Sequence, residues 1–261
     1  MLRTRILTGL IALAAVLALV LFAPNRVFTL FIAAVAAWGL YEVVTMYAAG
    51  KPLIMLPLAL AGGVPAVLIL GGTVPDWLVP AAIIMAVVGL TLEVASHHDS
   101  GSHNRLIAAL IGALYVGVLT PYFALLRNGP LGIRLIIVML LVIVAGDTGA
   151  YLVGSKWGRI KLAPRVSPGK TVEGTIASLA ASLIAMLVLR GFLGRSGNLV
   201  QSMILALAIN LLAQIGDLAE SALKRIAGVK DSGWIFPGHG GLLDRSDSLV
   251  LATVFTYYYS R

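Results

Sequence analysis

Stretches of apolar residues long enough to cross a bilayer recur along this chain, and no other feature constrains its fold as strongly. A hydrocarbon core about 30 Å thick needs roughly 20 apolar residues per helix. Nine stretches qualify, at roughly 5–23, 27–48, 53–71, 77–95, 105–126, 133–154, 171–193, 199–223 and 242–260. The third is the weakest, because Pro57, Gly62, Gly63 and Pro65 interrupt it. Only 11% of the 261 residues are charged, against about 25% in an ordinary soluble domain. A soluble fold with so few charges would expose too much apolar surface, so that class is excluded. The expectation is an all-α, polytopic membrane bundle of about nine helices.

Charge placement orients the bundle. Arg3 and Arg5 precede the first apolar run, which resembles a signal peptide but is too long for an ordinary one. Phe22-Ala23-Pro24-Asn25 offers no small-x-small cleavage site, so the run is expected to stay as an anchor. With nine spans and a cytoplasmic N-terminus, 13 of the 19 Lys and Arg fall on the cytoplasmic side. That is the direction the positive-inside rule requires. The net charge of +8 therefore calls for no nucleic acid; loop bias explains part of it, and an anionic substrate or headgroup the rest. The absence of Cys removes disulfides, thiolate metal sites and cysteine nucleophiles together.

Acidic residues divide the chain. Before residue 140 there are only Glu42, Asp76, Glu93 and Asp99, mostly near predicted helix ends. Residues 1–130 thus read as scaffold spans, and 131–261 as the catalytic region, with cytoplasmic loops 155–170 and 224–241. An ionisable group inside a span is costly unless paired or facing a wet cavity, which makes it a functional candidate. In the eighth span Asn210, Gln214, Asp217, Ser221 and Lys224 are spaced 4, 3, 4 and 3, and so share one helical face. Interhelical hydrogen bonding accounts for Asn210; it accounts poorly for Asp217.

Asp244 and Asp247, at i and i+3, share a face at the start of the ninth span. A helix N-terminus favours one carboxylate there, but two beside Asp217 repel unless a cation lies between them. Oxygen ligands of this kind suit Mg²⁺, with Asp217, Asp244 and Asp247 as ligands. A second, monovalent cation is compatible with the same cluster. Asp147, late in the sixth span, is another costly acid. His97, His98 and His103 read as interfacial loop residues rather than metal ligands.

Two loops are basic and glycine-bearing. In 224–241, Gly238, Gly240 and Gly241 leave backbone N–H groups free to approach phosphate oxygens, with Lys224, Arg225 and Lys230 to neutralise them. In the other, Gly169-Lys170-Thr171 has the ending of a Walker A loop, but no Gly stands at 164, so an ATP-binding P-loop is rejected. A phosphate-contacting helix start remains.

The run Ser221-x-x-Lys224-Arg225-x(4)-Lys230-Asp231-x-Gly233-x-x-Phe236-Pro237-Gly238-His239-Gly240-Gly241-x-x-Asp244-Arg245-x-Asp247 resembles the signature of the phosphatidate cytidylyltransferases (CDP-diacylglycerol synthases). Gln214-x-Gly216-Asp217-Leu218-x-Glu220-Ser221, Ser167-Pro168-Gly169-Lys170-Thr171-x-Glu173-Gly174 and Gly146-Asp147-Thr148-x-Ala150-Tyr151 resemble the same family. The resemblance covers about residues 135–250. It implies that CTP and phosphatidate give CDP-diacylglycerol and pyrophosphate at the cytoplasmic face of the cell membrane, with Mg²⁺. It also implies a catalytic set of Asp217, Asp244, Lys224, Lys230, Asp231 and His239. Substrate binding would fall to Lys170, Glu173, Ser221, Arg225, Gly240, Gly241, Arg245, Asp147 and Gln214. A homodimer in a lipid environment is compatible with a bundle of this size.

Two other classes fit less well. A CTP-dependent polyprenol or dolichol kinase would share polar helices and the nucleotide, but not the whole Lys-Asp to Asp-Arg-x-Asp run. An ion-coupled transporter should show two-fold hydropathy repeats, which this chain lacks. The Asp-Gly-x-x-Ala-Arg helix of CDP-alcohol phosphotransferases is absent.

Overall fold

In lipid each backbone N–H and C=O must find its partner within the chain, which leaves helices as the simplest solution. The computed structural model describes residues 14–48, 102–193, 198–235 and 240–261, and helices dominate them. A helical stretch over 14–22 leads into α1 (Asn25–Ala48). Then come α2 (Ser102–Leu119), α3 (Tyr122–Arg127), α4 (Gly132–Trp157), strands β1 (Lys161–Ala163) and β2 (Ser167–Thr171), α5 (Val172–Leu189), α6 (Leu199–Ala227) and α7 (Leu243–Tyr259).

Among the described residues five segments are long and apolar enough to cross a membrane: Asn25–Tyr47, Leu110–Arg127, Gly132–Trp157, Val172–Leu193 and Leu199–Ala227. They coincide with five of the nine predicted spans. α7 occupies the position of the ninth, with 17 residues and a charged first turn. The predicted spans 53–71 and 77–95, with His97 and His98, lie outside the described residues. The outer surface is apolar: Phe22 is 82% and Val188 79% exposed, and Leu30, Ile176 and Ile184 also face outward. Such a surface is dissolved by acyl chains, not by water. The chain is an integral membrane protein.

Two local features depart from the expected spans. The predicted 105–126 helix breaks at Thr120-Pro121, because Pro121 has no N–H to continue it. α3 restarts with the Phe123 N–H on the Thr120 carbonyl, 3.1 Å, and the Ala124 N–H on that of Pro121, 2.9 Å. Its last residue, Arg127, is buried and spends its guanidinium on Val20 O (2.8 Å), Ala23 O (2.9 Å) and Asn25 Oδ1 (2.7 Å). It thereby satisfies carbonyls that the end of the 14–22 helix leaves open. The second departure is a hairpin inside the expected loop 155–170. β1 and β2 pair antiparallel, Lys161 with Thr171 and Ala163 with Ser167, a small hairpin on an otherwise all-α bundle.

One hydrophobic core runs from Val20 to Tyr257 and joins residues of both portions of the chain. α4 packs along α5, and α7 along α6. Between α4, α5 and α6 lies a buried polar knot. Asn210 Nδ2 donates to Ser178 Oγ (2.9 Å) and Ser182 Oγ (2.7 Å), and Gln214 Nε2 donates to Asn210 Oδ1 (2.6 Å). Gly146 makes room for it, since a Cβ there would overlap the Asn210 amide.

Candidate active site

The polar stripe of α6 turns inward, as its spacing predicts, and ends at one rim of the bundle. Gly228 stops α6 in the left-handed conformation, φ 77°, which a residue without Cβ adopts freely. The Val229 N–H then returns to the Lys224 carbonyl, 3.0 Å. The hairpin meets the same rim, since Arg225 Nε donates to Val166 O at 3.2 Å. Both basic loops therefore stand at one end of the bundle.

Thr171 joins the hairpin to α5, its hydroxyl accepting the Gly174 N–H at 3.1 Å as an N-cap. Lys170, one residue earlier, reaches Asp217 Oδ2 at 2.8 Å and the Gln214 carbonyl at 3.4 Å. Ser221 donates to the other Asp217 oxygen at 3.5 Å. One turn further, Lys224 lies 2.5 Å from Glu220 Oε2 and 2.5 Å from Asp244 Oδ1. Asp244 Oδ2 accepts the Gly241 N–H (2.7 Å), the Ser232 N–H (2.9 Å) and the Ser232 hydroxyl (2.9 Å). Asp247 lies one turn on; its carbonyl accepts the Tyr115 hydroxyl at 3.0 Å, and Gly216 permits the close approach of α6 there.

These groups surround a cavity of about 470 Å³ lined by Asp147, Asp217, Lys224, Arg225, Lys230, Asp231, Asp244, Arg245, Asp247 and Ser248. Nine of the ten are sequence-predicted site residues. Lys170 and Ser221 contact the lining residue Asp217, and Gly241 contacts Asp244; Gln214 and Gly240 are not among the lining residues. The Gly241 N–H, expected to face a phosphate, is directed at Asp244 instead. Glu173 holds the chain before β1, accepting the Ile160 N–H at 3.2 Å. His239 lies outside the described residues. Sequence reasoning missed Ser248, Ser232 and Glu42. Glu220 was given no role, yet it is fully buried, with Oε2 paired to Lys224 and Oε1 without a hydrogen-bond partner among the described residues.

Carboxylate oxygens on the cavity wall, with an orphaned Glu220 oxygen beneath, have the donor chemistry of a hard divalent cation. They are not a preassembled shell. Among the described residues no three His, Cys, Asp or Glu converge on one point; Asp217 faces Lys170 and Asp244 faces Lys224.

Fold and site together define an integral membrane protein with a charged cavity at one end of its bundle. The chain belongs to the cytidylyltransferase family, whose sequence profile matches residues 3–261. It is 34% identical to a phosphatidate cytidylyltransferase of Staphylococcus haemolyticus, over 95% of both chains. With that of Haemophilus influenzae it shares 35% identity over 99% of both chains. With that of Bacillus subtilis the figure is 39%, over 57% of this chain and 55% of the other.

Proposed function

We propose that this chain transfers the cytidylyl group of CTP to phosphatidate, giving CDP-diacylglycerol and pyrophosphate. Full-length relatives carrying that name support the reading. The observation that carries it is the cavity itself, where Lys224, Arg225, Lys230 and Arg245 stand among acids at the end of a lipid-embedded bundle. A phosphate oxygen of phosphatidate attacks the α-phosphorus of CTP, the α–β anhydride bond breaks, and pyrophosphate carries the leaving charge away. Phosphatidate already holds the nucleophile, so no covalent enzyme intermediate is required.

Each group of residues has a task in this reading. Lys230 and Arg245, not tied to any carboxylate among the described residues, bind triphosphate or headgroup oxygens. Lys224 is held in place by Asp244 and Glu220, and Lys170 by Asp217, as further positive charge at the reacting phosphates. Asp217, Asp244 and Asp247 are the residues that would hold Mg²⁺, which when bound neutralises charge developing on the phosphates. His239 belongs near the same phosphates by its place in the signature. The nine-span, N-inside topology in the cell membrane, with the cavity facing the cytoplasm, belongs to this reading. The charge bias and the meeting of both basic loops at one rim support it. The kinase and transporter alternatives gain nothing from the relatives.

Purified protein given CTP, phosphatidate and Mg²⁺ should release pyrophosphate, and Asp217→Asn and Asp244→Asn should each abolish that release while remaining folded. Absence of pyrophosphate from the wild type overturns the proposal, and near wild-type rates in either variant remove that residue from the set.

A further inference from the structure

Glu42 is a carboxylate for which the reaction above has no task. It lies near the end of α1, in the scaffold portion of the chain, and is only 2% exposed. Four donors converge on it. Oε1 accepts the Leu242 N–H at 2.8 Å and the Trp38 indole N–H at 3.1 Å; Oε2 accepts the Leu243 N–H at 2.9 Å and the Ser232 hydroxyl at 3.0 Å. Leu242 and Leu243 open α7, which has no side-chain cap of its own at its N-cap position. Their N–H groups are among the donors a helix start leaves unsatisfied. Glu42 caps α7 from another helix, 200 residues away in the chain.

The same segment holds Asp244. Ser232 stands between two carboxylates, its hydroxyl 3.0 Å from Glu42 Oε2 and 2.9 Å from Asp244 Oδ2, with one proton to share. The glycines beside it are shaped to Glu42. A Cβ on Gly233 would lie 2.5 Å from Glu42 Oε1, and one on Gly241 2.5 Å from Glu42 Oε2. Neither glycine has a positive φ; among the described residues only Gly228 and Gly240 do. At 233 and 241, then, the missing side chain provides space for the carboxylate, not backbone freedom.

We infer that Glu42 is a positioning residue: it clamps Ser232, Leu242 and Leu243 to α1, and through Ser232 and the start of α7 it sets Asp244 and its partner Lys224. The inference rests on the functional reading above. Displacing reacting groups by about 1 Å can cost on the order of a hundredfold in rate. Glu42→Gln keeps the shape but leaves one acceptor oxygen and turns an amide N–H toward a backbone donor.

In Glu42→Gln, kcat for pyrophosphate release should fall by about ten- to a hundredfold, with a smaller change in KM for CTP. Hydrogen–deuterium exchange at Leu242 and Leu243 should quicken by about tenfold or more, which corresponds to losing one such bond of about 1.4 kcal/mol, while α4 and α5 keep wild-type protection. A second arm works from the other side of the contact. Gly233→Ala should lower turnover, and Glu42→Asp, one methylene shorter, should restore part of it in that background. A wild-type kcat in folded Glu42→Gln overturns the inference, as does exchange that quickens throughout the bundle. If Glu42→Gln does not fold, the Gly233→Ala pair decides, and lack of restoration overturns it. A wild type that releases no pyrophosphate refutes the functional reading instead, and the exchange arm still judges the clamp.

Discussion

Lys224 is the one cation set between two close carboxylates among the described residues, and its two partners differ in kind. Asp244 is supplied with donors from Gly241 and Ser232, whereas buried Glu220 has only the lysine. Removing one member of a buried pair leaves the other charge uncompensated, at a cost of about 3–5 kcal/mol. Lys224→Ala should therefore lose both turnover and thermal stability. Adding Glu220→Gln should return much of the stability and none of the activity, which a double-mutant cycle on unfolding measures. The Lys170–Asp217 pair, with side chains 22% and 39% exposed, is worth at most about 1 kcal/mol. Lys170→Ala should thus barely move the melting temperature while lowering kcat/KM. Asp217 and Asp244 were legible because acids in apolar runs are costly wherever they occur. Glu42 was as visible, but a carboxylate near a helix end has many bland explanations, and all but one of its donors come from beyond residue 230.

At the scale of elements, α6 was legible because its polar positions keep a helical period, and the structure turns that face inward. Asn210 proved to be the interhelical hydrogen-bonding residue that its uncharged amide suggested. What period alone did not show is the fit at Gly146, where α4 meets this knot. A Cβ there would lie 2.7 Å from Ser182 Oγ and 2.9 Å from Ser178 Oγ. Gly146→Ala should cost about 1–3 kcal/mol by overpacking, seen as a lowered unfolding midpoint in detergent. The β1–β2 hairpin was not legible either. Its strands are three and five residues long, and Pro168 and Gly169 break any alternation. It is held by contacts outside itself, Glu173 on Ile160 and Arg225 on Val166.

For the whole molecule, the decisive arrangement is that the ends of α1, α4 and α6 and the starts of α5 and α7 meet at one rim. Single cysteines placed in 156–165 and at 230 or 231, in a chain that has none, should react with an impermeant thiol reagent from the same side, and that side should be the cytoplasm. Labelling of the two sites from opposite sides contradicts the fold; labelling of both from outside reverses the orientation. The sequence by itself determined a lipid-dissolved helical bundle, its polar face on α6 and most of the cavity's residues. Hydropathy, helical period and the cost of charge in lipid all act over a few turns, so they can be read along the chain. Only the tertiary structure decided that Lys170 meets Asp217, that Lys224 joins Glu220 to Asp244, and that Glu42 caps α7. Those partners are set by which helices pack side by side, and no local period carries that information.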